Sequence, residues 1–157
     1  MSDLISSDNP INDGQEATLR RIVGMIIPAS EQYGVPGADD EQIFRDILVT
    51  ARDHADLLKT AVADLDGLAQ RRHDDSFRAL DAADQVTLVD DFRAANAGFA
   101  RTLASITAQC YYRDDRVMQS LGMEARPPFP QGYEVPEGDW SMLDPVRARG
   151  SIYKKVE

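Results

Sequence analysis

The chain has 157 residues, of which 43% are hydrophobic and 28% are charged. These fractions are typical of a soluble globular protein, and the length favours a single domain. The 27 acidic residues outnumber the 17 basic ones, so the formal net charge is −10. A chain this acidic lacks the basic face that nucleic acids require, and it is disfavoured at anionic membrane surfaces.

The charge imbalance is confined to the first two-thirds of the chain. Residues 1–100 hold 19 acidic and 9 basic residues, whereas residues 101–157 hold eight of each. No apolar run approaches the roughly 20 residues that span a bilayer, so direct membrane insertion is not expected. The acidic part is predicted to be the solvated faces of helices, and the neutral part to be the surface that recognises a partner.

Apolar residues recur at helical spacing in five stretches, which predicts an all-α protein built as a bundle of about five helices. Pro28 should end the first helix, while Asp39 or Asp40 and Asp81 are predicted N-caps. The last stretch is predicted to be one helix that ends at Gly122 in a left-handed C-cap. The five stretches are residues 19–27, 43–51, 57–68, 86–92 and 99–121.

The C-terminal part has a different composition. Five prolines lie between 127 and 145, which predicts an extended, turn-rich segment. Its aromatic residues include Trp140, the only tryptophan, and such rings are uncommon in disordered tails. The predicted organisation is one domain over 1–157, with 1–15 flexible, 16–122 helical, and 123–157 extended and packed either on the helices or on a partner.

Few residues have the spacing that enzyme chemistry needs. Glycines at dinucleotide or P-loop spacing are absent, as are histidine pairs at metal-binding spacing. His54 and His73 lie in charged runs that favour exposed helix ends, and Cys110 has the spacing of a buried core thiol. No catalytic, cofactor-binding or metal-binding residue is therefore predicted in this chain. The pair Arg20-Arg21 precedes an apolar run too short for an export signal, so a cytoplasmic location is expected.

The run from Tyr111 to Arg116 is the most distinctive motif. Tyr112 and Arg116 are four residues apart in the predicted last helix, so the guanidinium can lie over the ring. Two readings remain open at this point. The motif is either a salt-bridged helix surface that anchors the C-terminal segment or a patch that faces a partner.

The run from Tyr111 to Gly122, followed by Arg126-Pro-Pro-Phe-Pro-Gln-Gly-Tyr133, resembles the gluconate 2-dehydrogenase subunit 3 family. Shorter stretches, Ile26-Ile-Pro28 with Gly34-Val-Pro-Gly-Ala38 and the run that starts at Phe77, extend the resemblance to about residues 18–145. It implies a non-catalytic small subunit. The large subunit would be an FAD-containing flavoprotein of the glucose-methanol-choline (GMC) oxidoreductase type that acts on a sugar or sugar acid, and a cytochrome subunit accompanies some members. Many members carry a twin-arginine export signal, from which this chain departs.

The expected role is therefore an accessory subunit that binds and stabilises or matures a flavin-dependent oxidoreductase. Six residues are predicted to form contacts between the C-terminal segment, the bundle and the partner. They are Tyr112, Arg116, Arg126, Phe129, Tyr133 and Trp140.

Two other functions remain open. The first is a stand-alone helical enzyme or small-ligand-binding protein, with a pocket between helices and His54 or His73 as the base. The second is a structural protein that associates with itself.

Overall fold

The computed structural model describes residues 11–127, 129–134 and 137–149, and the chain divides into two compact units, Met1–Ala125 and Arg126–Glu157. We call these the first and second units. The stretch 1–10, most of the segment predicted to be flexible, lies outside the described residues. The helices of the first unit are α1 (Asp13–Ile26), α2 (Glu41–Thr50), α3 (Ala55–His73), α4 (Ala82–Ala95), α5 (Ala97–Tyr111) and α6 (Asp115–Ser120).

The all-α prediction is confirmed for the described residues, whose only β pairing is an isolated bridge between Ser30 and Val35. Local capping explains where several helices begin. Asn12 and Gln15 form a reciprocal capping box at α1. The carboxylates of Asp40 and Asp81 accept backbone N–H bonds at the starts of α2 and α4, as predicted.

Helix α5 is the central helix of the first unit, because it contacts α1, α2, α3 and α4. One face of α5 is buried, including the Cys110 thiol, which confirms the predicted core position. The Thr107 hydroxyl is also buried, but it donates to the Leu103 carbonyl one turn earlier at 2.7 Å. The core can therefore be dry without leaving that hydroxyl unsatisfied.

The prediction of one continuous helix over 99–121 is wrong, because α5 ends at Tyr111 and α6 begins at Asp115. Asp114 is extended, with ψ near 130°, and its carboxylate accepts the N–H of Arg116 at 2.9 Å. Aspartate is a mediocre helix former but a strong N-cap, so it ends one helix and begins the next. The predicted C-terminal end of this helical stretch is correct. Gly122 has φ +73°, and the N–H of Met123 donates to the Met118 carbonyl.

Both arginines of the Arg20-Arg21 pair make contacts within the first unit. Arg20 donates to the Asp39 carbonyl at 2.8 Å, and its guanidinium lies 5.5 Å from the centre of the Phe44 ring. Arg21 donates to the Gln85 side chain on α4. The pair thus joins α1 to the loop before α2 and to α4.

The second unit contains a 3₁₀ turn at Trp140–Leu143 that leads into α7 (Asp144–Ala148). Asp139 caps the turn by accepting the Ser141 N–H at 3.0 Å. The described residues from 126 to 139 form a bend, a turn at 129–131 and chain without regular secondary structure, and the proline content predicts such a turn-rich segment.

Candidate partner-binding surface

Arg116 joins the N-termini of two helices that are distant in sequence. Its guanidinium donates to both carboxylate oxygens of Asp114, at 2.9 Å each, and to both of Asp40, at 2.7 and 3.2 Å. Asp114 caps α6 and Asp40 caps α2. The Asp114 side chain is only 4% exposed, whereas that of Arg116 is 46% exposed. One cation therefore bridges two capping carboxylates, one of them buried.

The electrostatics of this cluster follow from those hydrogen bonds. Donation from Arg116 lowers the pKa of Asp114 and of Asp40 below the usual value of 3.8, against a smaller opposing effect of burial. The same contacts raise the pKa of Arg116, so the arginine stays charged. All three groups are ionised at neutral pH, and the cluster is a fixed structural joint.

A group whose pKa is lowered by folding stabilises the folded state above its unfolded pKa and loses that contribution as the pH falls through the folded value. The free energy of unfolding is therefore expected to decrease as the pH drops from about 5 to below 3.8. Urea denaturation between pH 7 and pH 3 measures this slope. In Asp114→Asn the slope should be shallower than in the wild type.

Asp90→Asn is the control for that series, because Asp90 forms an exposed ion pair with Arg93 and its side chain is 59% exposed. This variant should keep the wild-type slope. Equal slopes for Asp114→Asn and the wild type would contradict the assignment of acid sensitivity to the cluster.

The stacking of Arg116 on Tyr112 that the sequence spacing allows does not form, because the guanidinium binds Asp114 and Asp40 instead. Tyr112 lies in the break between α5 and α6, so the helical spacing of four residues does not apply there. Its ring instead meets the Tyr111 ring edge-on, with centroids 5.3 Å apart. Tyr111 is buried and Tyr112 is 56% exposed. Tyr112 therefore remains an aromatic side chain that a partner can reach.

Arg126 and Tyr133 contact each other within the second unit. The Arg126 guanidinium lies 5.1 Å from the centre of the Tyr133 ring and donates to the Gly132 carbonyl at 2.7 Å. The Tyr133 hydroxyl donates back to the Arg126 carbonyl. These contacts close the chain between the two residues into a loop, so two of the predicted site residues are brought together.

The other two predicted residues of this unit are exposed aromatics. Phe129 is a residue of the loop that Arg126 and Tyr133 close, and its side chain is 85% exposed. Trp140 begins the 3₁₀ turn and is 62% exposed. Large aromatic side chains of this kind often anchor protein–protein interfaces.

The first unit also carries an apolar groove that the sequence did not predict. Its volume is about 470 Å³, and its walls come from α1, α3, α4 and α5. Phe92 and Phe99 meet edge-on in one wall, with ring centroids 5.8 Å apart. The two charged residues that line it, Asp90 and Arg93, pair with each other at 2.8 Å. The groove thus offers a largely apolar surface without an unpaired charge.

The groove opens because small residues face large ones. Ala100 and Ala104 are one turn apart on α5 and both line the groove. Val86 was predicted to be part of the apolar face of its helix, yet it is 49% exposed and also lines the groove. The alanine pair is a signal that could have indicated the groove, since small side chains at that spacing leave room between helices.

Both histidines lie at helix ends. His54 is exposed in a 3₁₀ turn, Ala51–His54, and His73 ends α3 with its Nδ1 3.5 Å from an Asp84 carboxylate oxygen. Neither histidine lines the groove. Within residues 11–127, 129–134 and 137–149, no three acidic, histidine or cysteine side chains are grouped so that they could hold a metal ion.

The family comparison decides where this helical unit belongs. The sequence model of the family gluconate 2-dehydrogenase subunit 3 matches residues 13–126, which include every helix of the first unit. The chain belongs to this family. The comparisons with curated proteins and with solved structures gave no match.

The family is named for a subunit of a dehydrogenase, which agrees with the predicted role of a complex component. The matched region ends at 126, next to the boundary between the two units, whereas the resemblance was predicted to continue to 145. Of the six predicted contact residues, Tyr112, Arg116 and Arg126 lie inside the match. No helix in the described part of this family member is long and apolar enough to cross a membrane.

Proposed function

We propose that this chain is a non-catalytic accessory subunit that binds and stabilises or matures a flavin-dependent oxidoreductase of the GMC type, which acts on a sugar or sugar acid. FAD belongs to that partner, and this chain holds no cofactor. A cytochrome subunit is a further proposed component, and the proposed location is the cytoplasm.

The observation that carries this proposal is the family match over residues 13–126. The surface of the first unit agrees with it, because every residue that lines the apolar groove lies within the matched region. Apolar surface at the centre of an interface, with charges paired or excluded, is typical of protein–protein contacts. We therefore place the groove in the surface that the flavoprotein covers, and the six aromatic and arginine positions remain contacts predicted from the sequence.

Co-expression with a GMC-type flavoprotein from the same organism tests the proposal. The two proteins should elute together in size-exclusion chromatography, and the flavoprotein should be more soluble or more active than when it is expressed alone. Separate elution, with unchanged solubility and activity of the flavoprotein, would overturn the proposal.

A charge placed in the groove should weaken the complex. Val86→Asp puts a carboxylate into the proposed apolar contact, and burying an unpaired charge there is expected to raise the dissociation constant by about 30-fold. Biolayer interferometry with the purified flavoprotein measures this constant.

Val49→Asp is a matched control, because Val49 lies on α2 outside the groove and is 53% exposed, close to the 49% of Val86. Its dissociation constant should stay within about threefold of the wild type. Equal weakening by both variants, or by neither, would remove the groove from the interface.

A second candidate function is favoured by the same groove. Its volume of about 470 Å³ lies in the range of small-ligand pockets, as the alternative of a ligand-binding protein requires. An apolar ligand that co-purifies with the chain expressed alone would support that function. The histidine base proposed for the enzyme version does not line this groove.

A further inference from the structure

A second depression lies on the first unit and is lined by none of the residues that line the apolar groove. It lies between α1, α4 and the 3₁₀ turn Phe77–Ala79, and its volume is about 380 Å³. Two of its six lining residues are arginines, and none is acidic. The six are Ala17, Arg21, Arg78, Leu80, Ala82 and Gln85.

Arg21 is held in place by a chain of hydrogen bonds. Its Nε donates to the Gln85 Oε1 at 2.7 Å, and the Gln85 Nε2 donates to the Phe77 carbonyl at 3.1 Å. Gln85 is 5% exposed and Phe77 is fully buried, so this support is part of the core. Because only Nε is engaged, the terminal N–H groups of Arg21 remain available for an acceptor.

Arg78 lies on the 3₁₀ turn and forms no ion pair with any described residue. Several other arginines of the first unit, among them Arg45, Arg72 and Arg93, pair with carboxylates, whereas Arg52, Arg71 and Arg101 form no ion pair with a described residue either. What distinguishes Arg78 is its place beside Arg21: two guanidinium groups line one depression, and none of the described residues that line it is acidic.

We propose that Arg21 and Arg78 bind a carboxylate side chain of the partner subunit, an inference that rests on the proposed function. The planar guanidinium matches the two oxygens of a carboxylate and can bind both at once. Ala17, Leu80 and Ala82 supply apolar walls for the methylene groups of a glutamate. Both arginines are exposed, so the depression is open enough to receive a side chain that protrudes from a protein surface.

The test measures the dissociation constant of the complex with a GMC-type flavoprotein from the same organism. In the double variant Arg21→Glu/Arg78→Glu the constant should rise by about 30-fold or more, because carboxylates would then face the partner's carboxylate. Arg52→Glu/Arg71→Glu changes the net charge equally at exposed positions outside the depression, and its constant should stay within about threefold of the wild type.

The milder double variant Arg21→Gln/Arg78→Gln removes the charges without reversing them. It should raise the dissociation constant by about tenfold. This variant provides the test if circular dichroism shows that the glutamate variant is not folded. Wild-type constants in the glutamine and glutamate variants would overturn this inference and leave the proposed function intact. Failure of the wild-type chain to bind the flavoprotein would overturn both.

A second experiment distinguishes the two possible ligands of the depression, a carboxylate side chain of the partner and a free small carboxylate. Titration of the isolated chain with glutarate, followed by calorimetry, should show no binding at millimolar concentration, because the open depression leaves a free ligand mostly in water. Glutarate binding that the double variant abolishes, combined with unchanged affinity for the flavoprotein, would assign the depression to a small carboxylate and overturn the docking of a partner.

Discussion

Replacing Phe77 by alanine is expected to lower the free energy of unfolding by about 3–5 kcal/mol, the range measured for phenylalanine truncation in protein cores. Phe77 is fully buried, although it lies in a turn of three residues between α3 and α4. Its backbone is held at both ends: the N–H donates to Asp66 at 3.2 Å, and the carbonyl accepts from Gln85. These bonds keep the turn in place, so neighbouring side chains can fill the cavity only in part.

Urea denaturation at pH 7 measures this loss. Phe77→Leu retains most of the volume and should cost less than about 1.5 kcal/mol. Tyr33→Ala truncates an aromatic residue that is 68% exposed and should change stability by no more than about 0.5 kcal/mol. A similar small change in Phe77→Ala would show that the turn does not depend on the ring.

The second large effect is expected at Arg116. Arg116→Ala removes the cation that faces both capping carboxylates and leaves the Asp114 carboxylate buried without its ionic partner. Removal of one member of a buried ion pair costs about 3–5 kcal/mol. Because the arginine is 46% exposed and water can reach part of the site, we expect a loss of about 2–3 kcal/mol.

Arg116→Lys keeps the charge but cannot bind two carboxylates through a planar guanidinium. It should therefore lower the free energy of unfolding by about half as much as Arg116→Ala does. Arg45→Ala is the control, because Arg45 pairs with Glu41 across one helical turn and both side chains are highly exposed. It should cost no more than about 0.5 kcal/mol. Equal stability of Arg116→Ala and Arg45→Ala would show that the cluster does not join the two helices.

Local signals predicted most of the helical architecture. The apolar stripes set the faces that turn inward, and the capping residues Asp40 and Asp81 lie where the sequence places them. These signals act within one or two helical turns, so the sequence nearby contains all the information that they need. The all-α class followed from them.

Signals of longer range could not be read in the same way. The break before α6 depends on Asp114, whose carboxylate is held by Arg116, and Arg116 in turn binds the distant Asp40. Spacing alone allows Arg116 to stack on Tyr112, since nothing local indicates that a carboxylate 76 residues away competes for it.

The candidate site shows the same division. Tyr112 was singled out by the motif from Tyr111 to Arg116, and the aromatic residues of the second unit by composition, because a neutral, proline-rich segment with large rings differs from its surroundings. The apolar groove and the depression at Arg21 were not found. Each is built from side chains of separate helices, and its shape depends on how those helices pack.

The sequence by itself determined the helical class, most helix boundaries, the buried thiol and the membership of a dehydrogenase-subunit family, since these follow from local periodicity, caps and motifs. Only the tertiary structure decided which charges are paired and which face solvent. Arg116 is engaged by two carboxylates, whereas Arg78 lines a depression without one. The physical reason is that an ion pair needs two groups within about 4 Å, and helix packing sets that distance.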